Sequence, residues 1–125
     1  MGQPAGPPVR LCSNGFMREI VKRYFEMWNT GDVGIAREVL SPRWVDHAHP
    51  EVDTIAGVEQ AVRAIRAARP GLIFHIDAVL DGDGDLVAVA GRVGPSRIIW
   101  LVRIEDGLMA EMWTYTTSAP VRVDE

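Results

Sequence analysis

Between Phe16 and Trp28, apolar residues fall at Phe16, Met17, Ile20, Val21, Tyr24, Phe25 and Trp28. Steps of three and four residues place them on one broad face of a helix. Ser13 or Asn14 is positioned to cap its start, and Asn29-Thr30-Gly31 to end it. Asp32 then reads as the N-cap of a second helix carrying Val33, Ile35, Ala36, Val39 and Leu40. Ser41-Pro42 stops that helix, because proline lacks a backbone N–H and pushes the preceding residue towards extended backbone. The bulky segment Trp44 to His49 predicts a short strand, and Pro50 to Ala56 a loop. Thr54 is placed to cap a third helix, with Val58, Ala61, Val62, Ile65 and Ala68 on its buried face and Pro70-Gly71 at its end.

The periodicity then changes from helical to alternating. In Leu72 to Leu80, Leu72, Phe74 and Ile76 alternate with Ile73, His75 and Asp77, which predicts a strand. Asp81-Gly82-Asp83-Gly84 is a turn, Asp85 to Val93 a strand, Gly94-Pro95-Ser96 a turn, and Arg97 to Ile104 another strand. Glu105-Asp106-Gly107 predicts a tight hairpin, since an Asp-Gly pair tolerates the positive φ angles such turns require. Leu108 to Thr117 is the last strand. The order helix, helix, strand, helix and four strands predicts an α+β fold, with helices gathered on one side of a mostly antiparallel sheet. Residues 1–14 read as a flexible tail, 15–117 as a single domain and 118–125 as a second tail.

Composition narrows the class. A chain of 125 residues, 47% hydrophobic and 24% charged, has room for one domain with a core of its own. Its net charge of −4 disfavours a general phosphate-binding surface. The run Arg63, Arg66, Arg69 therefore reads as a solvated helix face and not as a nucleic-acid site. The single cysteine, Cys12, excludes an intramolecular disulfide and fits a reducing compartment. Uninterrupted apolar stretches reach only about five residues, as at Leu86 to Ala90, against about 20 for a membrane span. The start, MGQPAGPPVR, lacks the apolar core of a secretory signal. The expectation is a cytoplasmic protein with neither nucleic-acid nor membrane partners.

The stretch IVKRYFEMWNTGDVGIAREVLSPRWVDHAHP, starting at Ile20, resembles the opening of the nuclear transport factor 2-like superfamily, in particular its SnoaL-like polyketide cyclase branch. The shared features are a helix ending in an N-x-G-D turn, a short second helix, and a strand ending in a Val-Asp-His-like run. A Gly-led third helix follows at Gly57-Val58-Glu59. The closing hairpin is Arg103-Ile104-Glu105-Asp106-Gly107, continued by Glu111 and Trp113. The resemblance covers roughly residues 16 to 117. It implies a cone-shaped sheet wrapped around the helices, a pocket at its wide end, and a homodimer formed through the outer sheet face. Because the fold hosts isomerases, cyclases, epoxide hydrolases and non-catalytic binding modules, it leaves function open.

If the last strand follows the family, alternation sends Ala110, Met112, Thr114 and Thr116 into the pocket, and Glu111, Trp113 and Tyr115 outward. Trp113 and Tyr115 then read as subunit-interface residues. On the preceding strand Ile98, Trp100 and Val102 face inward. Tyr24 and Trp28, one helical turn apart, share a face that could floor the pocket.

In the related ketosteroid isomerase, the resemblance places the base at the position of His47 and the oxyanion-hole tyrosine at that of Tyr24. A histidine suits proton transfer, because its ordinary pKa of about 6.5 lies near working pH. Phe25, Trp28, Phe74, Trp100, Met112, Thr114 and His49 would shape the substrate. Trp100 and Thr114 stand where relatives carry acids, and the Arg-x-Asp pairing of limonene-type epoxide hydrolases is missing. By alternation Asp46 would face away from His47, as a cap or surface group. His47 and His49 with His75 or Asp77 could instead ligate zinc, which takes three or four such ligands. The leading expectation is a cofactor-independent cyclase or isomerase of secondary metabolism, of the kind used in antibiotic biosynthesis, acting on an apolar carbonyl-bearing or polyketide-type molecule. A non-catalytic binding or dimerisation module and a metal-dependent enzyme are the alternatives.

Overall fold

The structure, a computed structural model, describes residues 6–117, with side chains from residue 15 onward. Helix α1 (Gly6–Thr30) is followed by α2 (Ile35–Val39), β1 (Leu40–Asp46), α3 (Ile55–Ala68), β2 (Phe74–Asp81), β3 (Leu86–Val93), β4 (Ser96–Glu105) and β5 (Leu108–Thr117). The five strands form one sheet in the order β1-β5-β4-β3-β2. The β1–β5 pair is parallel and the other pairs are antiparallel, so the sheet is mixed. The α+β architecture and the element order match the expectation from the sequence.

Several boundaries differ for local reasons. α1 begins at Gly6, well ahead of Phe16, so Ser13 and Asn14 lie inside the helix instead of capping it. Pro7 and Pro8 fall in its first turn, where backbone N–H groups have no helical partner and proline is tolerated. The tail expected over 1–14 is thus helical backbone from Gly6. Residues 1–5 and the tail expected over 118–125 lie outside the described residues, as does the side chain of Cys12. The second helix has Gly34, not Asp32, at its N-cap, with no side-chain cap. Asp32 contributes its backbone carbonyl, which accepts from Ile35 N at 3.2 Å. That helix stops at Val39, because Leu40 is already extended at φ −100° and ψ 136°. Ser41 and Pro42 consequently belong to β1. Thr54 does cap α3, accepting from Gly57 N at 2.9 Å.

The core lies between the helices and the inner sheet face. Met17, Val21, Tyr24 and Phe25 of α1, Val58 and Val62 of α3, and Val87, Val89 and Val102 of the sheet are buried. Met27, outside the expected face, is buried too because α2 packs against α1. Phe16 is more than half exposed and falls outside the core. Asp106 and Gly107 both take positive φ, 54° and 78°, as the Asp-Gly hairpin requires.

The β1–β5 pairing shifts register between Leu40 and Val45, and irregularities in β2 and β5 reset the alternation there. Ile76 pairs with Gly91 and Ala78 with Ala90, leaving Asp77 as the extra residue of β2. Beyond it Val79 packs on the core, while Leu80 is exposed. In β5, Arg103 pairs with Glu111 and Ile104 with Met109, so that Met109 and Ala110 are both buried. Across from the β2 bulge, Gly91 faces the core. A Cβ there would lie 2.3 Å from the His75 carbonyl oxygen and 2.9 Å from the Trp100 ring. Only glycine lets β2 and the Trp100 indole approach this closely.

Candidate active site

A cavity of about 500 Å³ lies between α1, α3 and the inner face of the sheet. Its wall is aromatic. Phe25 and Trp100 have ring centroids 4.6 Å apart, Trp28 and Phe74 5.8 Å, and Tyr24 and Trp28 6.3 Å. The indoles of Trp28 and Trp100 line the space without filling it. Phe74 is set by Asn29, whose side-chain amide donates to the Phe74 carbonyl at 3.0 Å and accepts from the Phe74 N–H at 2.8 Å. Asn29 therefore fixes one wall, beyond the helix-ending role its sequence suggests.

Eight of the nine residues expected at the site line this cavity: Tyr24, Phe25, Trp28, Phe74, Trp100, Met112, Thr114 and His49. The ninth, His47, does not. Trp44 and Asp46 of β1 are buried, while Val45 and the residue just past the strand, His47, are exposed. The expected orientation of this strand is therefore reversed, with Asp46 facing the cavity and His47 facing the outer side of the sheet. The cause is the parity of Trp44, the bulkiest side chain of the strand, which is 2% exposed. The chain turns after Asp46, so alternation ends there and His49 comes back to the cavity rim. The His47-x-His49 pair thus shares no face. Among the described residues no group of three or more His, Cys, Asp or Glu is arranged to hold a metal.

His47 is held by partners on the outer face. Its Nε2 lies 2.6 Å from Glu111 Oε2, and its ring stacks on Trp113 at 5.0 Å and 8°. Arg103 Nε donates to the other Glu111 oxygen at 2.9 Å. The bonds from His47 and Arg103 hold the Glu111 carboxyl below the ordinary carboxylate range, against its partial burial. Of the arginine run, Arg63 and Arg69 are exposed as a solvated face requires, while Arg66 donates to the carbonyls of Leu72 and Pro70.

Inside the cavity the acid is Asp46, whose side chain is only 10% exposed. Its Oδ1 accepts from Ala48 N at 3.0 Å, and His49 Nδ1 lies 3.5 Å from Oδ2. The backbone just beyond is tied to β5, with His47 N donating to the Met112 carbonyl at 3.0 Å. Burial and then the negative charge of Asp46 push the Tyr24 hydroxyl well above its ordinary pKa, opposed by the Trp28 side chain. Tyr24 is therefore a neutral phenol, able to donate a hydrogen bond, in the cavity that Asp46 also lines. Met112, Thr114 and Thr116 complete the β5 wall.

A helix-covered mixed sheet thus encloses an aromatic cavity with one buried carboxylate. The SnoaL-like domain model matches residues 21–112, most of the chain, and the chain belongs to that family. No curated protein matches the chain. Among solved structures, IdmH, a putative polyketide cyclase from Streptomyces antibioticus, is 20% identical with a TM-score of 0.64, over 80% of this chain and 91% of that one. A SnoaL-like polyketide cyclase, also putative, from Jannaschia sp. CCS1 is 22% identical with a TM-score of 0.67, over 92% of this chain and 91% of its own. A protein of cystatin-like fold from Methylobium petroleophilum PM1 is 17% identical with a TM-score of 0.71, over 86% of this chain and 80% of its own. At these identities the likeness establishes the fold. No helix among the described residues is long and apolar enough to cross a membrane.

Proposed function

We propose that this protein is a cofactor-independent enzyme that closes a ring or shifts a double bond in an apolar, carbonyl-bearing molecule of the polyketide type. The observation that carries the reading is that a buried carboxylate, Asp46, and a neutral phenol, Tyr24, line the same aromatic cavity. Asp46 takes a proton from the carbon next to the carbonyl. Tyr24, with Trp28 beside it, donates to the oxygen as negative charge develops there. The protonated Asp46 then returns the proton to the rearranged product. Phe25, Trp28, Phe74, Trp100, Met112 and Thr114 hold the substrate in a reactive fold, and His49 flanks the acid at the rim. The cyclase names of the structural relatives agree with this chemistry, and such a reaction belongs to secondary metabolism, antibiotic biosynthesis included, in the cytoplasm.

Proton abstraction can be tested on a flat model ketone. Exchange of the α-protons of 2-tetralone in D₂O, followed by NMR, is expected to run faster with the protein than in buffer alone. Asp46→Asn is expected to lower the protein-catalysed rate at least about a hundredfold. Exchange at the buffer rate with wild-type protein would remove Asp46 as a base.

Non-catalytic binding is the second reading, favoured by Trp100 and Thr114, which supply no acid where relatives are expected to have one. Ligand-dependent change in tryptophan fluorescence without exchange would support it. We further propose that two copies pair through the outer sheet face, where Tyr115 is 56% and Ile99 45% exposed beside Trp113. Large apolar side chains gathered on one face suit a subunit interface. Sedimentation at micromolar concentration is expected to give twice the mass of 13.8 kDa.

A further inference from the structure

The cavity's charged lining has one dominant sign. Asp46 and Glu51 are carboxylates, His49 is the single basic side chain, and no lysine or arginine is among the lining residues. Asp46 lies deep, while Glu51 is exposed at the rim with His49, whose side chain is 64% exposed. Of the two carboxylates, Glu51 is thus the solvent-facing one and Asp46 the buried one. Arg66, on the neighbouring stretch of α3, is turned to the carbonyls of Pro70 and Leu72. Its charge is thereby directed to the helix end. The remaining lining side chains with a polar atom are the donors or acceptors of Tyr24, Trp28, Trp100, Thr114 and Thr116.

We infer that this site selects its ligand by charge: it takes flat aromatic or polyene molecules whose polar end is neutral or a protonated amine, and it rejects carboxylates and phosphates of the same shape. Two physical terms act together. An anion about 6 Å from Asp46, at an effective dielectric constant near 20, is disfavoured by roughly a hundredfold, and a cation is favoured to a similar degree. The faces of Tyr24, Trp28, Phe25 and Phe74 add attraction for a cation, since an aromatic ring presents negative charge on its face. The inference rests on reading the cavity as the ligand site, and not on Asp46 acting as a base.

Three isosteric probes test it by calorimetry at pH 7 and low salt: 2-naphthylmethylamine, 2-naphthylmethanol and 2-naphthoate. The amine and the alcohol are expected to bind, and the carboxylate at least about tenfold more weakly than the alcohol. In Glu51→Gln the gap between amine and carboxylate is expected to narrow, and in Asp46→Asn/Glu51→Gln to close to within about threefold. The alcohol reports whether each variant still holds its cavity. Binding of 2-naphthoate as tightly as the amine would overturn the inference, and so would failure of all three probes to bind. Charge discrimination without tetralone exchange would keep this inference while ending the enzymatic reading. Exchange without discrimination would do the reverse.

Discussion

The two sides of the sheet at the end of β1 use similar side chains in opposite ways. On the outer side His47, Glu111, Arg103 and Trp113 satisfy one another through two short hydrogen bonds and a ring stack. On the inner side Asp46 has one backbone donor, a histidine at 3.5 Å and an open cavity in front of it. The outer cluster's donors and acceptors are already taken up by one another, which leaves few for a substrate and suits it to a structural role. A carboxylate with spare acceptor capacity, held out of water, is suited to taking a proton from a substrate. Neighbouring residues thus have separate tasks because a strand turns them to opposite faces.

Substitutions that exchange the two sides give the sharpest test. Asp46→Asn is expected to lower tetralone exchange at least about a hundredfold, whereas His47→Ala is expected to retain it to within about threefold. A hundredfold loss in His47→Ala, with Asp46→Asn unaffected, would reverse the assignment of faces. Tyr24→Phe, which keeps the ring and removes the donor, is expected to lower the exchange rate about tenfold to a hundredfold, with the model ketone still bound.

Stability effects come next. Gly91→Ala forces a methyl group against the His75 carbonyl and the Trp100 ring. It is expected to cost at least about 2 kcal/mol in urea unfolding. An unchanged midpoint would mean that β2 and β3 separate easily there. Asn29→Ala removes both hydrogen bonds to the Phe74 backbone. It is expected to cost about 1–3 kcal/mol and to weaken binding of the naphthalene probes, because Phe74 loses its anchor.

The smallest effect belongs to the outer cluster. The Glu111 carboxyl is held below its ordinary range in the folded protein. The unfolded chain therefore binds the proton first as pH falls. The stabilisation from this group is complete above the ordinary carboxylate pKa of about 4.3 and disappears as pH drops through the lower folded-state value. Glu111→Gln is expected to lose less stability than wild type between about pH 5 and pH 3, read as urea midpoints. Parallel acid curves for the two proteins would take Glu111 out of the account.

Periodicity and turn chemistry carried most of the architecture. The α1 and α3 faces, the Thr54 cap and the Asp106-Gly107 hairpin all follow from local spacing. These features depend on neighbours within a few residues, so sequence alone determined them. The aromatic wall was legible for the same reason, since Tyr24, Phe25 and Trp28 share a helix face and Trp100, Met112 and Thr114 alternate on strands. The facing of β1 was also encoded, by the parity of Trp44. The face of β1 that buries Trp44 also carries Asp46, and His47 falls on the opposite side.

Other features depended on tertiary structure. The Asp77 bulge sends Leu80 out and Val79 in, and no local pattern marks which residue is extra. Asn29 reaches Phe74 across 45 residues of chain. His47 meets Glu111 across 64 residues, and Asp46 meets the Tyr24 environment only once β1 lies beside β5 and under α1. Electrostatics and hydrogen bonding act through space, so the chemistry of each polar side chain was decided by the partners that folding brought to it.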